Sequence, residues 1–238
     1  MAKPAYNRVL LKLSGESLAG DAKFGIEAEM LASVAAEIKT IVDTGVQLAI
    51  VVGGGNFFRG MQAASKGMDR IGSDYIGMLA TAMNALSLQQ ALEACGQPAR
   101  VMSALHIVGV VEPYVRPRAL KHLKNDRVVI FAAGTGNPLF TTDTAASLRA
   151  LEVGAQLMIK ATRVDGVYTA DPEKDPEATR YETLSFDEAI DKQLGVMDST
   201  AMTLCRENKM PIRVLNFHEE GNLMRAIMGQ PVGTLVHN

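Results

Sequence analysis

Two periods of apolar and polar positions alternate along the chain. Val9-Leu10-Leu11-Lys12-Leu13 is a short, almost unbroken apolar run, as expected of a buried strand. Ala28 to Thr44 then places Leu31, Val34, Ala35, Ile38, Ile41 and Val42 on one helical face, and Gly45 follows as a stop. Val46 to Val52 is a second apolar run, closed by three glycines. Asp74 to Cys95 carries Ile76, Leu79, Met83 and Leu86 at helical spacing and ends at Gly96. Arg100 to Leu105 reads as a strand, and Glu112 to Lys124 as a helical stretch interrupted by prolines.

The second half repeats the alternation. Arg127 to Ala132 and Ala155 to Ala161 read as strands. Between them Asp143 to Val153 reads as a helix, with Thr142 or Asp143 placed to cap its first turn. Ser185 and Glu188 form a capping box before a short helix. Ser199 to Asn208 predicts a further helix and Ile212 to Asn216 a further strand. Strand–helix alternation of this kind predicts an α/β fold, a three-layer αβα sandwich with a largely parallel central sheet. No linker or internal repeat divides it, so residues 1–238 read as one domain with two lobes.

Composition narrows the function classes. The 24 basic and 26 acidic residues leave a net charge of −2, so nucleic acid is not expected as the main partner. Trp is absent and aromatic residues make up only 5%, which argues against a base-stacking platform. Cys95 and Cys205 lie far apart and outside any metal-ligand spacing, which suits structural thiols in a reducing compartment. No apolar run approaches the length of a membrane span and no signal core opens the chain. A cytoplasmic location without membrane contact is therefore expected.

The candidate chemistry lies where the strand-like runs end. Four of them close in a polar or glycine-rich loop: Lys12-Leu13-Ser14-Gly15, Gly53-Gly54-Gly55-Asn56-Phe57-Phe58-Arg59-Gly60, Gly134-Thr135-Gly136-Asn137-Pro138, and Lys160-Ala161-Thr162. In an open parallel sheet, ligands bind beyond the carboxyl ends of the strands. Glycines let backbone N–H groups approach a phosphate, and Arg59 adds a fork of donors. The third loop continues through Leu139-Phe140-Thr141-Thr142 into a helix N-terminus, a ready anion site. Lys12 and Lys160 suit the neutralisation of a transferring phosphoryl group. Asp143 and Asp198 suit the ordering of those cations or the holding of Mg²⁺. Each feature has a bland alternative: a tight turn with an exposed arginine, snorkelling lysines, or helix-capping aspartates. It is their joint occurrence that favours phosphate chemistry.

Several established sites are missing. The chain has no GxxxxGK[ST] loop, no GxGxxG, no HRD or DFG triplet and no GxSxG elbow. Its four histidines fall at no metal-ligand spacing. A phosphate-handling α/β enzyme outside the P-loop and protein-kinase classes remains.

At these residues the chain resembles the bacterial uridylate kinases (UMP kinases) of the amino acid kinase superfamily. The likeness rests on Lys12 to Gly15, Gly53 to Gly60, Gly134 to Asp143 and Lys160 to Tyr168, and spans about Tyr6 to Leu235. The first two loops are shared with acetylglutamate, aspartate and carbamate kinases, whereas the GTGNPxFTTD block is more specific to uridylate kinases. Leu139 departs from the pattern, standing where many members carry Phe.

The resemblance implies ATP + UMP → ADP + UDP in pyrimidine nucleotide biosynthesis, with Mg²⁺ accompanying ATP. It implies an amino-terminal phosphate-acceptor lobe and a carboxyl-terminal ATP lobe. Carried over by position, Lys12, Leu13, Ser14, Gly15, Gly55, Arg59, Thr162, Tyr168 and Asp171 match ATP contacts. Gly54, Asp74 and the run Thr135, Gly136, Asn137, Pro138, Leu139, Phe140, Thr141 and Thr142 match UMP contacts. Catalytic roles fall to Lys12, Arg59, Lys160, Asp143 and Asp198, and no residue is directly assigned to a metal. The family implies a homohexamer inhibited by UTP and often activated by GTP. For GTP the matching positions are Gly20, Asp21, Ala22, Lys23, Phe24 and Gly25, with Arg100 and Arg127. The basic run Arg116 to Arg127 reads otherwise as a solvated helix face. The rivals are an acylphosphate-forming kinase on the same fold and a non-catalytic nucleotide-binding protein. The third loop argues against the first, and intact Lys12, Arg59 and Asp143 argue against the second.

Overall fold

The computed structural model describes residues 3–22, 24–60, 65, 67–172, 174–175 and 177–238. Its centre is a sheet in which the named strands are β1 (Arg8–Leu13), β2 (Gln47–Val52), β3 (Ala99–Ser103), β4 (Glu112–Pro113), β5 (Val128–Ala132), β6 (Leu157–Thr162), β7 (Thr183–Ser185), β8 (Ile212–Asn216) and β9 (Thr234–His237). They run in the order β4-β3-β5-β2-β1-β6-β8-β9-β7. All pairings are parallel except β8 with β9. The central strands are buried on both faces, which explains their lack of apolar–polar alternation: Val9, Leu10, Leu11 and Leu13 have no exposed surface.

Helices cover both faces. α1 (Ala28–Val42), α2 (Arg70–Ala94) and α7 (Asn222–Ile227) pack with Val9, Leu11 and Leu13 of β1 in one core. α3 (Arg116–Lys124), α4 (Thr142–Val153), α5 (Phe186–Asp191) and α6 (Ser199–Glu207) pack with Leu10 in the other. The expected three-layer αβα sandwich is thus present. The expected face of α1 is also present, with Val34, Ala35, Ile38 and Ile41 all turned into the core.

Three expectations need correction. The stripe Ile76, Leu79 and Met83 on α2 does not face the core, for these side chains are 41%, 49% and 50% exposed. The buried residues are instead Ser73, Met78, Ala80, Thr81, Ala82, Asn84, Ala85, Leu88 and Leu92. Small and polar side chains stand among them at Ala80, Thr81 and Asn84, where the helix passes close over loop backbone: a Cβ built on Gly54 would lie 2.7 Å from the Gly77 carbonyl oxygen. Second, Glu112 and Pro113 form a short edge strand rather than the start of a helix. The helix begins at Arg116 with Pro117 in its first turn, where a missing N–H costs nothing. Third, Thr141 and neither Thr142 nor Asp143 caps α4, its hydroxyl accepting the N–H groups of Asp143 and Thr144. The box at α5 forms as read, Ser185 Oγ accepting from Glu188 N.

Candidate active site

Four neighbouring strands build the site. β5, β2, β1 and β6 lie side by side and parallel, so their carboxyl ends open on one edge of the sheet. The four polar loops read from the sequence follow those ends. α1 leaves β1 for one face of the sheet, and α4 enters β6 from the other. The connections therefore diverge there, leaving a crevice of the kind open α/β sheets offer to ligands.

Lys12 and Lys160 are paired positions of β1 and β6, so both side chains leave the sheet on one face. Asp143, in the first turn of α4, lies between them. Its Oδ2 accepts a hydrogen bond from Lys160 Nζ at 2.7 Å, and its Oδ1 forms an ion pair with Lys12 Nζ at 2.9 Å. Burial pushes the Asp143 carboxyl upward, yet the two ammonium groups hold it below its ordinary value. Burial lowers the Lys160 pKa despite the opposing pull of Asp143, and the positive charge of Lys12 lowers it further. Lys160 also donates to the Val196 carbonyl at 2.5 Å. These lysines are held side chains at the mouth of the crevice and do not snorkel.

Asp198 caps α6 by accepting from Ala201 N. The same carboxylate accepts from Thr141 Oγ1 at 2.5 Å and Thr144 Oγ1 at 3.0 Å. The capping alternative is therefore correct for Asp198, and the bond network adds a second role. It ties the first turn of α4, which carries Asp143, to α6.

Two clefts flank this cluster: the first reaches Thr141 and Thr142, which precede Asp143 in the chain, and the second includes Lys160. One is lined by Gly54, Gly60, Asp74, Thr81, Thr135 and Thr142, among others, and encloses about 540 Å³. The other runs past Lys160, Thr162, Tyr168, Asp171 and Val196 and encloses about 1000 Å³. In the first cleft Asp74 accepts the Leu139 N–H at 2.8 Å and pairs with Arg70. Leu139 has φ +73°, so this bond helps hold a conformation that a residue with a Cβ rarely adopts. Its side chain is 63% exposed. Arg59 pairs with Glu16, bringing the second loop across to the first.

The structure gathers most of the expected positions along this edge. Asn137, Phe140 and Thr141 line the first cleft with Thr135 and Thr142. Gly136 has φ +81° and packs against Ala104. Ser14 caps a short 3-10 turn at Gly15–Leu18, and Gly20–Ala22 forms another. Phe24 stacks edge-on against Phe57, and Gly25 N donates to Asn56 O. The segment 20–25 thus borders the glycine loop, with Lys23 lying outside the described residues. Arg100 and Arg127 are elsewhere. They stand at the amino ends of β3 and β5, where Arg100 pairs with Glu93 and Arg127 bonds His122. The chain does not bring them together with segment 20–25. In the basic run, Arg118 and His122 both meet Glu112.

Two residues of this site, Thr81 and Asn84, escaped the sequence reading, and Asn56 was read only as part of its loop. Asn56, Thr81 and Asn84 are buried polar groups whose bonds fix the loops, and only Asn56 lay within a motif that was singled out. Thr81 and Asn84 stand four and seven residues after Gly77 on a helix whose apolar stripe points outward. A polar residue recurring on the face opposite that stripe was the available signal.

The carboxylates also decide how a metal could be held. Asp143 is engaged by two lysines, and Asp198 by two hydroxyls and a backbone N–H. Among the described residues no group of three or more His, Cys, Asp or Glu is placed to ligate a metal. Such a site suits a cation that arrives on its substrate's phosphates, as Mg²⁺ commonly does.

Glycine-lined loops at parallel strand ends, two lysines sharing one carboxylate and two clefts define a phosphate-handling enzyme of the α/β class. The model of the amino acid kinase family matches residues 7–216. A curated uridylate kinase of Methylococcus capsulatus is 57% identical over 236 residues, covering 99% of each chain. Among solved structures, the UMP kinase of Bacillus anthracis superposes with a TM-score of 0.94 at 40% identity, over 98% of this chain and 96% of that one. The UMP kinase of Ureaplasma parvum gives 0.92 at 34% identity over the whole of both chains. The chain belongs to the amino acid kinase family and, within it, to the uridylate kinases.

Proposed function

We propose that this chain transfers the γ-phosphoryl group of ATP to UMP, yielding ADP and UDP for pyrimidine nucleotide biosynthesis. The observation that carries the reading is the Lys12–Asp143–Lys160 cluster, with one cleft ending at Thr142 beside Asp143 and another that includes Lys160. UMP occupies the cleft of Gly54, Asp74 and residues 135–142, in the amino-terminal acceptor lobe. ATP occupies the cleft of Thr162, Tyr168 and Asp171, in the carboxyl-terminal lobe, with its phosphates reaching Lys12 to Gly15, Gly55 and Arg59. Mg²⁺ bound to ATP would supply charge screening of its phosphates, beside the Lys12, Lys160 and Arg59 cations.

A UMP phosphate oxygen attacks the γ-phosphorus in line. The new O–P bond forms as the bond to the β–γ bridging oxygen breaks, and that oxygen leaves on ADP with the electron pair. The UMP phosphate is largely ionised at neutral pH, so no strong general base is required. The work is alignment and charge neutralisation. Lys12, Lys160 and Arg59 spread positive charge over the transferred group, and Asp143 keeps the two lysines in place. Asp198 acts through Thr141 and Thr144 on the same turn.

Further family properties belong to this reading. Homohexamer formation is supported by the exposed apolar stripe Ile71, Tyr75, Ile76, Leu79 and Met83 along α2. GTP as activator is supported by the position of segment 20–25 against the glycine loop, and UTP as inhibitor goes with the family reading. Arg100 and Arg127 offer cationic donors for an effector phosphate. Among the described residues no helix is long and apolar enough to cross a membrane, and a cytoplasmic location fits the substrates.

The test is ADP release from MgATP with UMP, CMP, AMP, N-acetylglutamate, aspartate or carbamate, each with and without GTP. Strong preference for UMP is expected, with a higher rate in GTP. Turnover of an acyl acceptor and none of UMP would overturn the substrate assignment.

A further inference from the structure

One face of α2 passes over both glycine-rich loops. Asp74, Gly77, Thr81 and Asn84 follow one another at spacings of three and four residues, so they share that face. Thr81 is 3% exposed and Asn84 has no exposed surface. A buried hydroxyl and a buried amide each cost desolvation, which an apolar residue of similar size would avoid. What they bond to is therefore informative.

Asn84 Nδ2 donates to the Gly53 carbonyl at 2.7 Å and to Asn56 Oδ1 at 2.7 Å. Asn56 Nδ2 donates back to Asn84 Oδ1 at 3.0 Å and to the Gly25 carbonyl at 2.7 Å. Every polar end of this amide pair has a partner. Gly15 closes over it, since a Cβ there would lie 2.3 Å from Asn56 Oδ1 and 3.0 Å from Asn84 Nδ2. Three chain segments, around Gly15, Gly25 and Gly53, are thus registered against a single pair of side chains.

Thr81 serves the other loop. Its Oγ1 accepts the Ala133 N–H at 2.7 Å and donates to Met78 O in its own helix. Ala133 has φ +61°, left-handed for a residue with a Cβ, and it begins the turn that presents Gly134 and Thr135. An anchor on its N–H fixes where that turn leaves the sheet.

We infer that Asn84 and Thr81 are positioning residues for phosphoryl transfer: α2 sets the separation of the two loops, Asn84 through Asn56 and Gly53, and Thr81 through Ala133. This rests on the proposed transfer to the acceptor cleft. The two anchors act on different parts of the reaction. Asn84 places the Gly53–Gly55 loop where the phosphates meet, so its loss lowers kcat. Thr81 places the acceptor loop, so its loss raises the KM of the acceptor.

The test uses the full-length protein, Thr81→Val and Asn84→Asp, with both substrates varied between pH 6 and 8.5 and melting followed in parallel. Thr81→Val keeps the shape and removes the acceptor. It is expected to raise the KM for UMP about tenfold while that for ATP stays within about twofold. Asn84→Asp sets a carboxylate against the Gly53 and Asn56 oxygens. It is expected to lower kcat about tenfold at pH 8 and to recover relative to the unaltered protein toward pH 6, where the protonated acid regains one donor. A purely structural role would instead move kcat, both KM values and melting together across this pH range, whereas the positioning role moves kcat in the folded variant with both KM values little changed. Asn56→Ala removes the loop-side amide and carries the same kcat test if Asn84→Asp does not fold. Kinetics within about twofold of the unaltered protein in the folded variants would overturn the inference, as would parallel losses in all constants that track melting. Should the unaltered protein use another acceptor instead of UMP, the substrate reading fails, and the same split measured on that acceptor still decides the roles of Asn84 and Thr81.

Discussion

Asp143 stands between Lys12 and Lys160, one carboxylate oxygen 2.9 Å from the first ammonium and the other 2.7 Å from the second. Neither lysine would tolerate this depth without the aspartate, because burial alone disfavours a charged side chain. Asp143→Asn leaves the two ammonium groups uncompensated. The expected cost is about 3–5 kcal/mol of stability, read from denaturant unfolding. The Lys160 pKa, already lowered by burial, falls further without the carboxylate that opposes the shift. The alkaline limb of the activity profile should therefore move to lower pH.

Lys12→Ala removes one charged hydrogen-bond donor from the transferred group. Turnover is expected to fall about 10–150-fold, corresponding to about 1.5–3 kcal/mol. Unchanged turnover would exclude the role assigned to Lys12.

Arg59 and Asp74 should separate the two substrates. The Arg59–Glu16 pair is exposed, so Arg59→Ala should alter melting little, by about 0.5 kcal/mol or less. Its effect is expected on kcat and on the KM for ATP, with the KM for UMP little changed. Asp74→Ala frees the Leu139 N–H and is expected to raise the KM for UMP instead. Initial rates with each substrate varied in turn check the pattern.

Gly54 is closely overlaid by α2. An added Cβ would sit 2.7 Å from Gly77 O, 2.9 Å from Ala80 Cβ and 3.1 Å from Thr81 N. Backbone on that side cannot yield cheaply. Gly54→Ala should cost about 1–3 kcal/mol of stability and most of the activity, whereas Gly77→Ala, whose Cβ meets nothing within 4 Å, should fold normally.

Away from the site, burial and the nearby Glu220 push the Glu37 carboxyl up to about 7. An unfolded glutamate ionises near pH 4.3, so between that value and 7 the unfolded chain is charged while the folded one holds its proton. Unfolding then releases a proton, and stability falls as pH rises through this window. Glu37→Gln should add about 1–2 kcal/mol at pH 8, a figure reduced for its partial exposure, and nothing near pH 4. Melting of both proteins across that range reads the difference.

The helix α2 marks where sequence reading stops. Its carboxyl end was legible from Gly96, whereas its start lies four residues before the expected Asp74, at Arg70 with Asp69 as the cap. Its orientation was not legible, because Ile76, Leu79 and Met83 form the apolar stripe yet face outward. Periodicity ranks faces by hydrophobicity and carries no information on how near another backbone lies. The short strands β7 and β9 were missed for a related reason. They are three and four residues long and gain their pairing from distant partners.

The sequence alone determined the α/β alternation, the loops that end β1, β2, β5 and β6, and the residues those loops present. Strand length, apolar runs and glycine placement are local properties, written where they act. Only the tertiary structure decided that β5, β2, β1 and β6 are neighbours and that Lys12 and Lys160 share one carboxylate. It also decided that Asn84, 28 residues from Asn56, completes the glycine loop. Strand order and ion pairing depend on which distant segments bury each other's apolar faces, a property of the packed chain that no short window contains.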